Sequence, residues 1–496
     1  MPKQENSYRQ IVKATSIFGG VQVYNILIAI IRTKFIAIFL GPAGMGISGL
    51  LTSTLSLINS FSSLGLGSSA IKNIASANSS GNENKIALVI TVFRRLVWIT
   101  GLLGAIITIV LSSYLSQITF GNHDYTFAFI WISITLLINQ LSTSQLVLLQ
   151  GLRKIKHLAK ANLIGSSLGL VIILPIYYKL GINGIVPAII ITSLITFLLS
   201  WYYTSKIKVK PVQISIKDTF IEGKGMIIMG IAISLGGLMD TGASYIVKIF
   251  ISNIGGIAQV GLYNAGFALV NTYVGLIFAA MATDYYPRLS SVANNNKMCT
   301  QAINEQSEIA LLILAPIVVV FIIFINLVII LLYSSKFIGI NEMVYWAALG
   351  MFFKAISWSL AFVFLAKGAS KVFFWTNLIG SVCTLILNII GYSIWGLTGL
   401  GISFMVSYLI YLIMVYIVSN KKYEFKFSRA LFRIFIIQFG IAIFGLISTF
   451  IFTNHYLIGF FIITISGGYS IYELDKRIGF KSIIKKIKLK FSKSNL

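Results

Sequence analysis

"TKFIAIFLGPAGMGISG", residues 33–49, decides the fold. An apolar run holding Lys34, with Arg32 just before it, ends in an uncharged turn carrying Gly41, Pro42, Gly44 and Gly46, and a second apolar run begins at once. Runs of about 20 apolar residues are long enough to cross a ~30 Å hydrocarbon core as a helix. The stretch therefore reads as the end of one transmembrane helix, a tight outer turn and the start of the next. Lys34 within it and Arg32 just before it call for an explanation, because an ionisable group at membrane depth costs roughly 2.5–3.5 kcal/mol on insertion scales.

The same pattern recurs along all 496 residues, of which 57% are hydrophobic and only 10% charged. That composition excludes a soluble globular protein. A bilayer demands backbones that satisfy themselves, so helices are expected, and the alternating ~10-residue strands of a membrane β-barrel are absent. The expected fold is an all-α polytopic membrane protein with about fourteen spans, near 14–39, 44–70, 86–114, 124–150, 158–178, 182–204, 224–250, 260–284, 307–333, 343–366, 372–392, 398–419, 430–453 and 455–472. The polar start "MPKQENSYRQIVK" lacks a following small-residue cleavage site, so the first run reads as a retained helix rather than a signal peptide. Cys299 and Cys383 show no metal spacing.

A net charge of +26 would point to nucleic acid in a soluble protein, but its placement decides otherwise. The basic residues gather in alternate loops: Arg153, Lys154, Lys156 and Lys160; Lys206 to Lys224; Arg288 and Lys297; Lys367 and Lys371; Lys421 to Arg433. The opposite loops, such as "FGNHDY", "KLGING" and "WGLTG", carry almost none. This positive-inside asymmetry puts both termini in the cytoplasm and assigns the excess to topology and anionic lipid heads. The tail "DKRIGFKSIIKKIKLKFSKSNL" reads either as a basic amphipathic surface helix or as a solvated basic tail.

The chain also repeats itself. "TKFIAIFLGPAGMGISGL" lies over "VKIFISNIGGIAQVGLYNAG", matching Lys34 to Lys248, Gly41 to Gly255 and, after one insertion, Gly46 to Gly261. "NLIGS" occurs at 162–166 and again at 377–381, "GINGI" at 181–185 matches "GLTGL" at 396–400, and "QGLRK" at 150–154 lies over "KGASK" at 367–371, two residues out of step. An offset of six helices makes the repeat parallel, one of the two forms found in secondary transporters. The expected organisation is a six-helix lobe over 1–205, a cytoplasmic linker over 206–223 containing Pro211, a second lobe over 224–420, two extra helices over 430–472 and a basic tail over 473–496.

"FLGPAGMGISGLL", "GLYNAGFALVNTY" and "MATDYYPRLSSV" resemble the polysaccharide flippases, the Wzx-type O-antigen translocases of the multidrug/oligosaccharidyl-lipid/polysaccharide (MOP) exporter superfamily. The resemblance spans roughly residues 10–420. It implies a MATE-like, two-lobed transporter that moves an undecaprenyl-pyrophosphate-linked oligosaccharide to the periplasmic leaflet of the bacterial inner membrane. A polysaccharide polymerase and a chain-length regulator are implied partners, and the flippase would act as a monomer without cofactor, driven by H⁺ or Na⁺. The last two helices resemble the fourteen-helix pattern of the lipid II flippases.

Arg32, Lys34, Asp240, Lys248 and Lys354 fall inside the expected helices. Lys354 is the deepest. Gly350, Ser357 and Ala361 share its face, a small, partly polar stripe suited to a cavity wall, and its repeat counterpart falls near Asn139. Arg32 shares a polar stripe with Gln22, Asn25 and Ala29 and reads as facing the cargo, whereas Lys34 lies about 200° around the helix and reaches for the membrane surface. Lys248 joins Arg32 and Lys354 as a candidate for a pyrophosphate head, since bases replace its water with charge-assisted hydrogen bonds. Asp240, the one acid expected within a helix interior, has two open readings: an ion-coupling carboxyl whose pKa burial raises, or a structural partner of a base. Asp284, Pro287 and Arg288 form the cytoplasmic end of the eighth helix. The resemblance makes them a gate or hinge; the simpler reading is a helix stop at Pro287. Trp131, Trp201, Tyr345 and Trp346 read as interface anchors or packing.

The rivals are a lipid II-type flippase, a multidrug exporter of the same superfamily, and a membrane polysaccharide polymerase or acyltransferase. Short outer loops and three scattered histidines (His123, His157, His455) argue against the enzyme, and the excess of bases over Asp240 argues against cationic drugs.

Overall fold

The computed structural model describes residues 2–207, 212–452 and 454–478, and every regular element among them is helical. In chain order these are α1 (Pro2–Ser62), α2 (Leu66–Ser79), α3 (Glu83–Val110), α4 (Ser112–Phe120), α5 (Thr126–Gly151), α6 (Ile155–Leu180), α7 (Ile185–Ser205), α8 (Ile216–Gly255), α9 (Ile257–Ala268), α10 (Leu276–Ser291), α11 (Asn296–Leu332), α12 (Asn341–Ala366), α13 (Ser370–Tyr423), α14 (Arg429–Ile451) and α15 (His455–Ile478). The linker residues around Pro211 and the basic tail beyond 478 lie outside the described residues.

Nine of the described helices are long and apolar enough to cross a membrane, ten if the bent pair within α8 is one span. The chain is a multi-pass membrane protein. Three of the nine are double-length, at 43, 51 and 54 residues. At 1.5 Å per residue a 54-residue helix would run about 80 Å, far beyond a ~30 Å core. Each is broken near its middle by a glycine at positive φ: Gly41 (φ 63°, ψ −168°), Gly181 (φ 53°, ψ −131°) and Gly396 (φ 57°, ψ −135°). The expected pairs 14–39 and 44–70, 158–178 and 182–204, and 372–392 and 398–419 are the arms of these three.

Some boundaries differ from expectation for local reasons. The second helix does not run to 70. It breaks at Leu64 (φ 49°) and Gly65 (φ 61°), where a Cβ on Gly65 would lie 2.1 Å from the Gly230 carbonyl oxygen of α8. Helix α8 starts at 216 rather than 224 because Ser215 caps it, accepting from the Asp218 amide at 3.1 Å. Expected helix 260–284 is interrupted by a π-helical turn at Leu269–Val274.

The described chain forms two compact units, one of Met1–Gly261 with Leu332–Ser334, the other of Leu262–Leu331 with Ser335–Leu496. The first is built on Leu66, Ile74, Phe93, Leu96, Leu148 and Met226, the second on Tyr285, Leu289, Leu360, Phe364, Val415 and Phe425.

Backbone geometry fixes the register of the repeat. Gly181 and Gly396 share one conformation, Gly41 and Gly256 (φ 85°, ψ 168°) share another, and both pairs are 215 apart (396 − 181 and 256 − 41). The turn after α5 recurs bond for bond: Lys154 N–H donates to Leu149 O and Ala369 N–H to Phe364 O, each at 2.8 Å, with Arg153 and Gly368 both at positive φ. Two sequence pairings are thereby corrected. Gly41 matches Gly256, not Gly255, and the cytoplasmic turns are in step at 215 (368 − 153). Lys34 then falls opposite Ile249, and Lys248 opposite Thr33. One residue is about 100° around a helix, so the two lysines are not symmetry mates.

At this register the repeat meets itself. A Cβ on Gly46 would fall 2.0 Å from the Ile257 carbonyl oxygen, and one on Gly261 would fall 1.8 Å from that of Pro42. Shifting 46/257 by the repeat gives 261/42, the reciprocal contact of an isologous pair, so these turns straddle a local twofold axis.

Candidate functional site

Each unit holds polar groups inside its helices. In the first, Arg32, Ala29 and Gln22 are exposed on one face of α1, as the sequence stripe required. Asn25, also on that face, is half-buried and accepts from Ser166 Oγ at 2.9 Å, while Tyr24 and Ser167 share a 2.6 Å bond one residue along each helix. These bonds tie α1 to α6. Arg32 also lies within electrostatic reach of Tyr177 on α6. Lys34 is half-buried, and its neighbours Val23 and Leu27 are exposed, as a lipid-facing stripe would be.

Lys248 points to the second arm of α1, donating to Ser53 Oγ at 2.7 Å. One turn back on α8, the Tyr245 hydroxyl lies 2.6 Å from Thr119 Oγ1 and accepts from Thr54 Oγ1 at 3.1 Å. Asp240, farther back, is exposed. Asn139 on α5 is exposed as well, while its neighbour Gln140 turns inward, 6% exposed, into a polar cavity of ≈ 180 Å³ also lined by Asn59, Ser63 and Thr143.

In the second unit Lys354 is half-buried on α12 and donates to Asn271 Oδ1 at 2.8 Å. Its ammonium lies 5.1 Å from the Tyr408 ring centre and 5.5 Å from that of Phe404, both on α13 and themselves in edge contact. Cations over ring faces are stabilised by the ring quadrupole. The stripe of Gly350, Ser357 and Ala361 is not a cavity wall: all three are buried. A Cβ on Gly350 would meet Phe404 at 2.7 Å, so the small residues serve close packing of α12 on α13 and seat the ring near Lys354.

At the cytoplasmic end, Pro287 does not stop the helix, which continues to Ser291. Buried Tyr285 and Leu289 hold its last turns, and Arg288 Nη2 donates to Gln306 Oε1 at 2.8 Å. Asp284 and Pro287 are exposed. Tyr345 is buried against Phe450, so it packs rather than anchors.

Sequence reasoning missed the buried acids. Glu308 on α11 and Glu473 on α15 are 8% and 3% exposed, and both are held by Arg477, at 2.8 Å and 2.5 Å. Ser428 Oγ, at the start of α14, donates to Glu308 at 2.8 Å, so α14 is fastened to α11 through this hydroxyl and α15 through the Arg477 guanidinium. The i, i+4 spacing of Glu473 and Arg477 was a usable signal. Arg433 and Lys476 also pair with Glu473, whereas among the described residues Arg32, Lys248 and Lys354 have no carboxylate within ion-pair distance. Nor is any cluster of three His, Cys, Asp or Glu placed to hold a metal among the described residues.

The family model described as "Polysaccharide biosynthesis protein" matches residues 35–342, and that of "Lipid II flippase MurJ" matches residues 222–467. No curated protein sequence matches the chain. Among solved structures, an inward-facing multidrug resistance MATE family transporter of the MOP superfamily is similar at 17% identity and TM-score 0.68, covering 82% of this chain and 96% of that one. The lipid II flippase MurJ, inward closed, is similar at 14% identity and TM-score 0.67, covering 94% and 99%. A MOP superfamily transporter from Pyrococcus furiosus, described as having a binding pocket of reverse polarity, is similar at 17% identity and TM-score 0.57, covering 84% and 95%. With its helices, its parallel repeat and a family model spanning more than half its length, the chain belongs to the polysaccharide biosynthesis protein family and has the MATE-like fold of the MOP superfamily.

Proposed function

We propose that the protein is a flippase that carries an undecaprenyl-pyrophosphate-linked oligosaccharide, an O-antigen or related surface polysaccharide unit, from the cytoplasmic to the periplasmic leaflet. One observation carries the reading: Arg32, Lys248 and Lys354 lie within apolar helices with no carboxylate at ion-pair distance among the described residues. Isolated positive charges at membrane depth are costly. A pyrophosphate head supplies the missing anion, through charge-assisted hydrogen bonds that Arg makes bidentately. A cationic drug would add to the cost.

On this reading the lobes alternate access to the two leaflets while the polyprenyl tail stays in lipid. Asp240 is the coupling carboxyl for H⁺ or Na⁺, and Asp284, Pro287 and Arg288 act at the cytoplasmic gate. The protein sits in the bacterial inner membrane with both termini cytoplasmic, acts as a monomer, and hands its cargo to a polymerase and chain-length regulator. The match to the MurJ model over 222–467 favours lipid II as the second reading; it carries the same pyrophosphate.

The test is a strain lacking the gene, complemented with the double variant Arg32→Ala, Lys354→Ala. Loss of surface polysaccharide at unchanged membrane level is expected. Normal polysaccharide would overturn the site, and restoration of peptidoglycan synthesis by the native gene in a strain depleted of its lipid II flippase would select lipid II.

A further inference from the structure

The π-turn at Leu269–Val274 is the feature that neither the sequence pattern nor the proposed function accounts for. It is closed by the Gly275 amide donating to Val270 O, five residues back, at 3.2 Å. Such turns add a residue to the helical circuit, rotating the next helical segment by about 100°, and they recur at functional sites. Gly275 permits this one: a Cβ there would fall 1.9 Å from the Asn271 carbonyl oxygen. Within the turn stands Asn271, exposed, with its side-chain oxygen on Lys354.

We infer that Asn271 is a positioning residue for Lys354, and that the anionic oxygen of a pyrophosphate displaces it when cargo binds; the inference rests on the function proposed above. Tyr408 and Phe404 fix two sides of the ammonium, and Gly350 lets Phe404 come close enough to do so. Asn271 fixes a third direction with a neutral acceptor. That neutrality is the point. A carboxylate there would pair with Lys354 and compete with the cargo, whereas an amide oxygen orients the lysine and yields to a charged oxygen, which bonds a cation more strongly.

The experiment uses the purified full chain in detergent, an amine-acylating reagent, inorganic pyrophosphate as probe and mass spectrometry of the Lys354 peptide, with exposed Lys421 as internal control. In the native protein, pyrophosphate at about nine times its Kd slows acylation of Lys354 by about tenfold, the factor 1 + [L]/Kd, and leaves Lys421 unchanged. In Asn271→Asp, nearly isosteric, Lys354 acylates slowly from the start and pyrophosphate adds nothing. Asn271→Ser, too short to reach, keeps the lysine reactive but loses most of the protection, and reports should the Asp variant fail to fold. If the native protein is protected and both variants behave like it, Asn271 has no positioning role while the anion site stands. If pyrophosphate protects nothing in the native protein, the anion site itself is wrong and the inference falls with it.

Discussion

The reciprocal glycine contact gives a prediction that can be worked out in numbers. Replacing Gly261 with Ala puts a methyl carbon 1.8 Å from the Pro42 carbonyl oxygen. Carbon and carbonyl oxygen ordinarily stay ~3.3 Å apart, so the two segments must part by about 1.5 Å. Gly46→Ala faces the same problem, 2.0 Å from Ile257 O. Overpacking of this kind costs roughly 1–3 kcal/mol. For a unit of this size each kcal/mol lowers the melting temperature by about 2–4 °C. Both variants should therefore melt about 2–12 °C low in a detergent thermal-shift assay. Gly20→Ala, with nothing within 4 Å of its Cβ, should melt like the native chain. Because the two alanines part the same pair of segments, the double variant should cost less than the sum of the singles. Native melting in both single variants, or a loss in one alone, would refute the reciprocal contact and the 215-residue register with it.

Individual contacts give further expected outcomes. Arg477→Ala leaves Glu308 without an ion-pair partner and Glu473 with only the longer contacts to Arg433 and Lys476, at a cost of roughly 3–5 kcal/mol, read as a lower melting temperature; replacing both acids by Gln as well should recover part of it. Tyr245→Phe removes the hydroxyl bonded to the buried Thr119 side chain, while Thr54 Oγ1 keeps the Leu50 carbonyl at 2.9 Å, and should cost about 1–3 kcal/mol by the same assay. Asp240→Asn should leave pyrophosphate protection of Lys354 intact while removing the dependence of transport on an ion gradient. A variant that keeps full gradient dependence would reject Asp240 as the coupling group.

Much of this architecture was legible in the sequence because lipid enforces simple patterns. The helices, the loop charges and the repeat show in apolar run lengths, lysine placement and recurring glycines. The sequence pattern puts the register one residue out because glycines are adjacent at 255 and 256, and only backbone dihedrals choose between them. That single residue means Lys34 and Lys248 are not repeat equivalents. Arg32 and Lys354 stood out as charges among apolar residues. The groups that hold Lys354 did not, since Asn271 reaches it through a π-turn and Phe404 through packing on Gly350, neither of which leaves a periodic trace. The stripe around Lys354 reads as a cavity wall in the sequence because small residues serve close helix packing as well as they serve a cavity. Glu308 and Glu473 escaped notice because one guanidinium joins helices far apart in sequence.

The central claim is that uncompensated bases in these helices exist for an anionic lipid-linked glycan. It is tested most directly in proteoliposomes holding the purified protein and a fluorescent undecaprenyl-pyrophosphate oligosaccharide, by tracking its passage from one leaflet to the other. The account expects transfer by the native protein, loss of transfer with Arg32→Ala and Lys354→Ala combined, and no transfer of a cationic dye. Transfer of the dye, with the glycolipid left in its original leaflet, would contradict it.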